Sequence, residues 1–199
     1  MSEYVDRDEA VRRLIDGGVV ALPTDTVYGV AASLWSEDAL AALFRAKARP
    51  AHVPLPILVH TLNPIQEIDV EWGEYAERLA DEFWPGPLTI VVPASRDLAR
   101  RVGADKDSVG VRVPNDDLLL SILRDTGPLC VSSANSHGLP PCRSAAEVRD
   151  AFGEGLLAGV LDDGERRGDV SSVVVVGEGI WRVEREGAIG TERIAELLG

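Results

Sequence analysis

Val19-Val20-Ala21-Leu22-Pro23-Thr24-Asp25-Thr26-Val27-Tyr28-Gly29 runs from an apolar stretch straight into hydroxyls and one carboxylate. Consecutive apolar residues ended by a proline read as a short buried strand, with the polar cluster in the loop behind it. Upstream, Asp6-Arg7-Asp8-Glu9 has the form of a capping box and predicts a helix through Leu14 and Ile15, closed by Gly17-Gly18. Downstream, Ser36 is placed to cap a second helix that carries Leu40, Leu43 and Phe44 on one face and stops at Pro50. Helix, strand, polar loop and helix within about fifty residues predict an α/β fold.

The alternation continues. Leu55 to Val59 reads as a strand, with Pro56 expected to confine it to an edge or bulge. A helix is expected over about 71–83, then a Trp84-Pro85-Gly86-Pro87 turn and a strand from Leu88 to Val92. Val109 to Pro114 alternates like a half-buried strand, with Arg112 opposite Val109, Val111 and Val113. Asn115 is expected to cap a helix through Leu123, followed by a strand from Leu129 to Ser132. Ser144 and Glu147 form a second capping-box pattern, strands follow at 172–176 and 180–183, and Thr191 is expected to cap a terminal helix. No repeat or low-complexity linker interrupts the series, so residues 1–199 are expected to form one domain.

Composition bounds the function. The chain has 199 residues and a net charge of −13, and only two of its 20 basic residues are lysines, Lys47 and Lys106. A solvated acidic surface counts against a broad nucleic-acid-binding face, which needs clustered cations, and makes the place of each arginine informative. Met1 to Arg13 is polar and no apolar run approaches the roughly 20 residues that span a bilayer, so a cytoplasmic protein is expected. Cys130 and Cys142 are expected to be reduced thiols, and His52, His60 and His137 show no metal-ligand spacing.

Four polar segments follow strands or helices, where α/β proteins commonly bind ligands. Pro23 to Gly29 offers hydroxyls for a small polar substrate, or an ordinary turn in which Thr24 and Asp25 bond their own backbone. Lys47-Ala48-Arg49 offers a two-cation phosphate clamp, or cations favoured at a helix C-terminus. Ser132-Ser133-Ala134-Asn135 with Ser136-His137-Gly138 suits phosphate or carboxylate oxygens, yet is neither a Walker loop nor a nucleophile elbow. Gly168-Asp169-Val170-Ser171-Ser172 leads into a valine strand with Arg185 beyond it, and also reads as a strand-entry cap.

Taken in order, these segments resemble the YrdC-like threonylcarbamoyl-AMP synthase family from about Val19 to Arg185. PTDTVYG resembles its PT[DE]TVYG signature, KAR its KxR motif, and WPGPLTIVV its WPGPLT segment. VGVRVP resembles its arginine strand, SSAN-SHG its SAN-xxG loop, and DVSSVVV with Arg185 its closing serine and arginine. The resemblance implies a twisted mixed sheet flanked by helices around a deep, positively lined substrate cavity. It also implies a nucleotidyltransferase that makes threonylcarbamoyl-adenylate and pyrophosphate from L-threonine, bicarbonate or CO2, and ATP, with Mg2+ carried on the ATP. A partner tRNA threonylcarbamoyl-transferase would use the product. Thr26, Arg112, Ser133 and Ser171 would hold threonine, with Arg112 on its carboxylate. Lys47, Arg49, Ser108, Asn135 and Arg185 would bind ATP, Lys47 and Arg49 as the catalytic pair, and Arg143 would reach phosphate.

The family pattern is broken in three places. Val53 replaces a polar ATP contact, Leu58 replaces a threonine-contacting histidine with His60 two residues late, and Arg143 replaces a threonine or serine. The chain also ends near Gly199, without the extra C-terminal domain of longer members. Two other function classes compete: an RNA-binding or ribosome-maturation module of the same fold, and a carbamoyl-transfer domain like those of hydrogenase maturation. Direct RNA binding is disfavoured by the charge.

Overall fold

The computed structural model describes residues 3–48, 53–63, 68–135 and 139–199. Among the described residues, ten strands form one mixed sheet: β1 (Tyr4–Val5), β2 (Val20–Leu22), β3 (Gly29–Ser33), β4 (Ile57–Leu58), β5 (Leu88–Pro93), β6 (Ser108–Arg112), β7 (Leu129–Ser133), β8 (Gly159–Leu161), β9 (Ser172–Gly177) and β10 (Ile180–Arg185). Their order across the sheet is β1-β8-β2-β3-β7-β4-β6-β5-β9-β10. Seven helices accompany them: α1 (Arg7–Ile15), α2 (Glu37–Ala46), α3 (Glu74–Phe83), α4 (Arg96–Arg101), α5 (Asp117–Thr126), α6 (Ala145–Phe152) and α7 (Thr191–Leu198).

The caps explain where most helices begin. Asp6, Ser36, Ser95, Asp116 and Ser144 each accept a hydrogen bond from the backbone N–H three residues on, satisfying a donor that the first turn leaves orphaned. Asp116 takes the role expected of Asn115, because the helix starts one residue later. Gly190, not Thr191, precedes the last helix, and the Glu186 carboxylate accepts from the Thr191 N–H at 2.9 Å. Glu147 turns away from a closed capping box and accepts from the Arg143 N–H instead.

Pro56 does not put its strand at an edge. β4 lies inside the sheet between β7 and β6, but it shrinks to two residues that begin just after the proline. The Pro56 carbonyl still accepts from the Val131 N–H at 3.1 Å, so the missing donor shortens the strand without expelling it.

Because successive side chains point to opposite faces of a sheet, each strand feeds two different layers. Ala21, Val30, Ile57, Ile90, Val111 and Cys130 point to one face, where they pack with residues of α2, α3, α4, α6 and α7 such as Leu43, Leu79, Leu98, Val148 and Ile194. Val20, Leu22, Ala31, Leu58, Leu129 and Val131 point to the other, where, among the described residues, the buried helical partners are Ala10 and Leu14 of α1 and Leu119, Ile122 and Leu123 of α5. No residue of β5, β6 or β9 belongs to that second cluster. Thr89, Gly110 and Arg112 lie on this second face by parity, beyond the reach of its two helices. The expected alternation is present, with Val109 and Val111 buried on one face and Ser108 and Gly110 half-buried on the other, but Arg112 on that second face is itself only 6% exposed.

Leu119 is fully buried in the smaller cluster. Leu119→Ala should cost about 2–5 kcal/mol in a urea denaturation curve, through lost transfer energy and the cavity left behind.

Candidate functional site

A cavity of about 130 Å3 opens on the part of the second face that α1 and α5 leave bare. Its lining includes Thr24, Thr26, Thr89, Arg112, Ser133, Ser171 and Arg185. These residues come from six strands or their adjoining loops. The site thus lies across a face of the sheet, rather than only at strand ends. A larger groove of about 540 Å3 near Trp72 and Leu198 lies elsewhere and holds none of these groups.

Arg112 is fixed twice. Its Nε–H donates to the Gly86 carbonyl at 2.9 Å, and its Nη2 lies 2.6 Å from Asp25 Oδ1. Burial disfavours the charged guanidinium and pushes its pKa down, while the Asp25 carboxylate opposes that push. Among the described residues Nη1 has no acceptor, so one end of the fork is left for a ligand. Arg185 donates from Nε and Nη2 to the Ser171 carbonyl at 3.1 and 2.8 Å, and from Nη2 to Ser171 Oγ at 3.1 Å. Its pKa is also lowered, first by burial and then by repulsion from Arg112. Two cations with one paired carboxylate leave this cavity poised for an anion.

The hydroxyls are ordered as tightly. Thr24 Oγ1 accepts from the Thr26 and Val27 N–H groups at 3.1 and 3.2 Å and donates to the Val27 carbonyl at 2.7 Å. That occupies Thr24, so the Thr26 hydroxyl beside it, 2.9 Å away, is the one with capacity for a ligand. Ser171 Oγ is 3.1 Å from Thr89 Oγ1. The turn reading of the Pro23–Gly29 segment is therefore realised by Thr24, whereas Asp25 pairs with Arg112 and Thr26 lines the cavity.

Lys47 is 1% exposed and caps the loop after β7 from below. Its ammonium donates to the carbonyls of Ser133 and Asn135, the latter at 2.6 Å, and to Asn135 Oδ1, which also accepts from Ser133 Oγ at 2.8 Å. Lys47 therefore shapes the loop that carries Ser133 and Asn135. Arg49 lies outside the described residues, as do Ser136, His137 and Gly138.

Ser108 shares the Arg112 face of β6 but does not line the cavity; four residues of extended chain put the two Cα atoms roughly 13 Å apart. Arg143 lines a neighbouring recess of about 340 Å3 that shares Val27 and Val170 with the cavity. Leu58 is part of the cavity wall, whereas Val53 and His60 are not. Four contributors were not singled out from the sequence as site residues: Asp25 as the Arg112 partner, Thr89, Tyr28 and Arg166. Asp25 and Tyr28 lie in the PTDTVYG segment and Thr89 in the WPGPLT segment, both readable in the sequence, whereas Arg166 lies in no such segment.

The site and fold define a small-molecule α/β protein built to hold an anion beside ordered hydroxyls. The chain belongs to the Sua5/YciO/YrdC family, whose model, described as "Telomere recombination", matches residues 12–187. A threonylcarbamoyl-AMP synthase of Pyrococcus abyssi is 37% identical over 186 residues, covering 92% of this chain and 54% of that protein. One from Pseudomonas aeruginosa is 35% identical over 173 residues, covering 85% of this chain and 92% of that protein. The structure of P. abyssi Sua5 complexed with L-threonine superposes with a TM-score of 0.91 at 35% identity, over 97% of this chain and 57% of that one. This chain thus spans about half of the archaeal protein and nearly all of the Pseudomonas one. Among the described residues no helix is long and apolar enough to cross a membrane.

Lys47→Met should remove the donor from buried acceptors of the Ser133–Asn135 loop at about 1–3 kcal/mol, read as a lower urea midpoint. Cys142 gives a second check: burial pushes its thiol up to about 11. Alkylation of the native protein at pH 8 should therefore be much slower than that of a free cysteine, because the thiolate is the nucleophile. Mass spectrometry measures that rate.

Proposed function

We propose that this protein is a threonylcarbamoyl-AMP synthase, joining L-threonine, bicarbonate or CO2, and ATP into threonylcarbamoyl-adenylate and pyrophosphate. One observation carries the reading: Arg112 and Arg185 converge on a cavity lined by Thr26, Ser133 and Ser171, in a family whose threonine-bound member shares this fold. The Nη1 end of Arg112 binds the threonine carboxylate, a charge-assisted contact. Thr26, Ser133 and Ser171 orient the hydroxyl and the amine. The two arginines against one carboxylate also disfavour a protonated amine, and a neutral amine is the form that captures CO2.

The amine nitrogen bonds the carbon of CO2 and loses a proton to give a carbamate. A carbamate oxygen then attacks the α-phosphorus of ATP, and pyrophosphate leaves with the electrons of the broken P–O bond. No protein nucleophile is needed, so positioning and charge neutralisation supply the acceleration. Asn135, on the loop held in shape by Lys47, and Arg185, together with Arg49 and Arg143, supply the ATP-binding groups in this reading. Among the described residues no three His, Cys, Asp or Glu side chains gather to hold a metal. Asp25 is committed to Arg112. In this reading Mg2+ is carried on the ATP phosphates as part of the substrate. A tRNA threonylcarbamoyl-transferase consumes the product, since a mixed anhydride with adenylate is an activated acyl donor.

Pyrophosphate release should require threonine, bicarbonate and ATP together, and omission of each in turn is the test. Release that continues without threonine would sink the reading. Arg112→Ala should raise the threonine KM at least tenfold, equivalent to about 1.4 kcal/mol of lost binding.

A further inference from the structure

The chain between β8 and β9, residues 162–171, crosses the face that carries the cavity and is tied down at successive points. The Tyr28 hydroxyl, on a fully buried ring, donates to the Gly164 carbonyl at 2.8 Å and accepts from the Asp163 N–H at 3.3 Å. Gly168 packs directly on the Thr24–Tyr28 loop, where a Cβ would sit 2.9 Å from the Asp25 carbonyl. Val170 and Ser171 then enter the cavity lining.

Arg166 is the centre of this crossing. Its Nε–H donates to the Thr24 carbonyl at 2.9 Å, and its backbone N–H donates to the Arg143 carbonyl at 2.7 Å. Nη1 donates to the Asp163 carbonyl at 2.6 Å, and Nη2 reaches the Asp163 and Asp116 carboxylates at 2.6 and 3.3 Å. The side chain is 17% exposed, and Asp116 at 12% is the α5 cap, so one end of the network is anchored in a helix of the core. Arg167 next to it is 82% exposed and bonds only to Glu165 among the described residues.

We infer that Arg166 is a positioning residue for the threonine side of the site. It touches no substrate position itself. It clamps the Thr24 carbonyl, and Thr24 Oγ1 sets the turn that presents the Thr26 hydroxyl. A guanidinium is required because three separate directions must be held by one planar fork, which an ammonium cannot reproduce. The inference rests on the synthase reading and deepens it, assigning threonine selectivity to a residue outside the cavity wall.

The test uses the full chain with Arg166→Ala, Arg166→Lys and Arg167→Ala. Threonine and ATP affinities are measured by calorimetry, and KM and kcat by pyrophosphate release. Arg166→Ala should weaken threonine binding at least tenfold while ATP affinity changes less than twofold, and Arg166→Lys should recover only part of the loss. Arg167→Ala should match the wild type. A folded Arg166→Ala protein with unchanged threonine affinity overturns the inference. Equal loss of both substrates, tracking a drop in melting temperature, also overturns it by showing a purely structural role. If Arg166→Ala does not fold, Arg166→Lys decides by the same threonine-to-ATP comparison. Wild-type protein that fails to bind threonine overturns the synthase reading itself, and that outcome is visible before any variant is compared.

Discussion

A guanidinium that is nearly cut off from water must be paired, and the architecture around Arg112 is arranged to meet that demand. Gly86 holds one edge of the fork and Asp25 another, and these partners come from separate segments of the chain: the turn before β5 and the loop after β2. The ion pair therefore ties together segments that share no strand pairing. Breaking it by removing Asp25 would leave a buried charge uncompensated, a far larger penalty than the net worth of the pair. The pair is best understood as a device that fixes geometry and sets the charge of the cavity, with little net contribution to stability.

The helices are unevenly shared between the two faces, and this creates the space for the site. Among the described residues, one face of the sheet receives buried apolar residues from five helices, and the other from two. The bare part of the second face cannot be left to solvent as a flat apolar surface. Thr89, Gly110 and Arg112 make it polar, and the loops at 24–28 and 162–171 roof it.

Much of this was legible in the sequence, for identifiable reasons. Asp6, Ser36 and Ser144 announced their helices because side-chain caps act locally and leave a short-range pattern. The arginine strand, Thr26, Ser133, Ser171 and Arg185 were recoverable as an ordered motif set, and the structure brings them to one cavity. What escaped was nonlocal or weakly patterned. β3, with Gly29, Ala31 and Ala32, lacks the β-branched density of a strand, and it forms because β2 and β7 pair with it on both sides. α4 is six residues long and too short to show a period. Pro56 misled because a proline counts against central strands, yet β4 needs only the two residues after it. Arg166 carried no signal at all, since its partners at Thr24, Asp116 and Arg143 lie far away in sequence.

The bare region of the second face has a thermodynamic consequence. A globular sheet is normally covered on both sides, and here the covering over β5 and β6 comes from loops around a cavity in place of a helix. A ligand that fills the cavity adds contacts to those loops, so its binding is linked to the folding equilibrium. At a hundredfold excess over its dissociation constant, a ligand adds about 2.7 kcal/mol of folding stability. The lifetime of such a protein against proteolysis would follow the abundance of its own substrates.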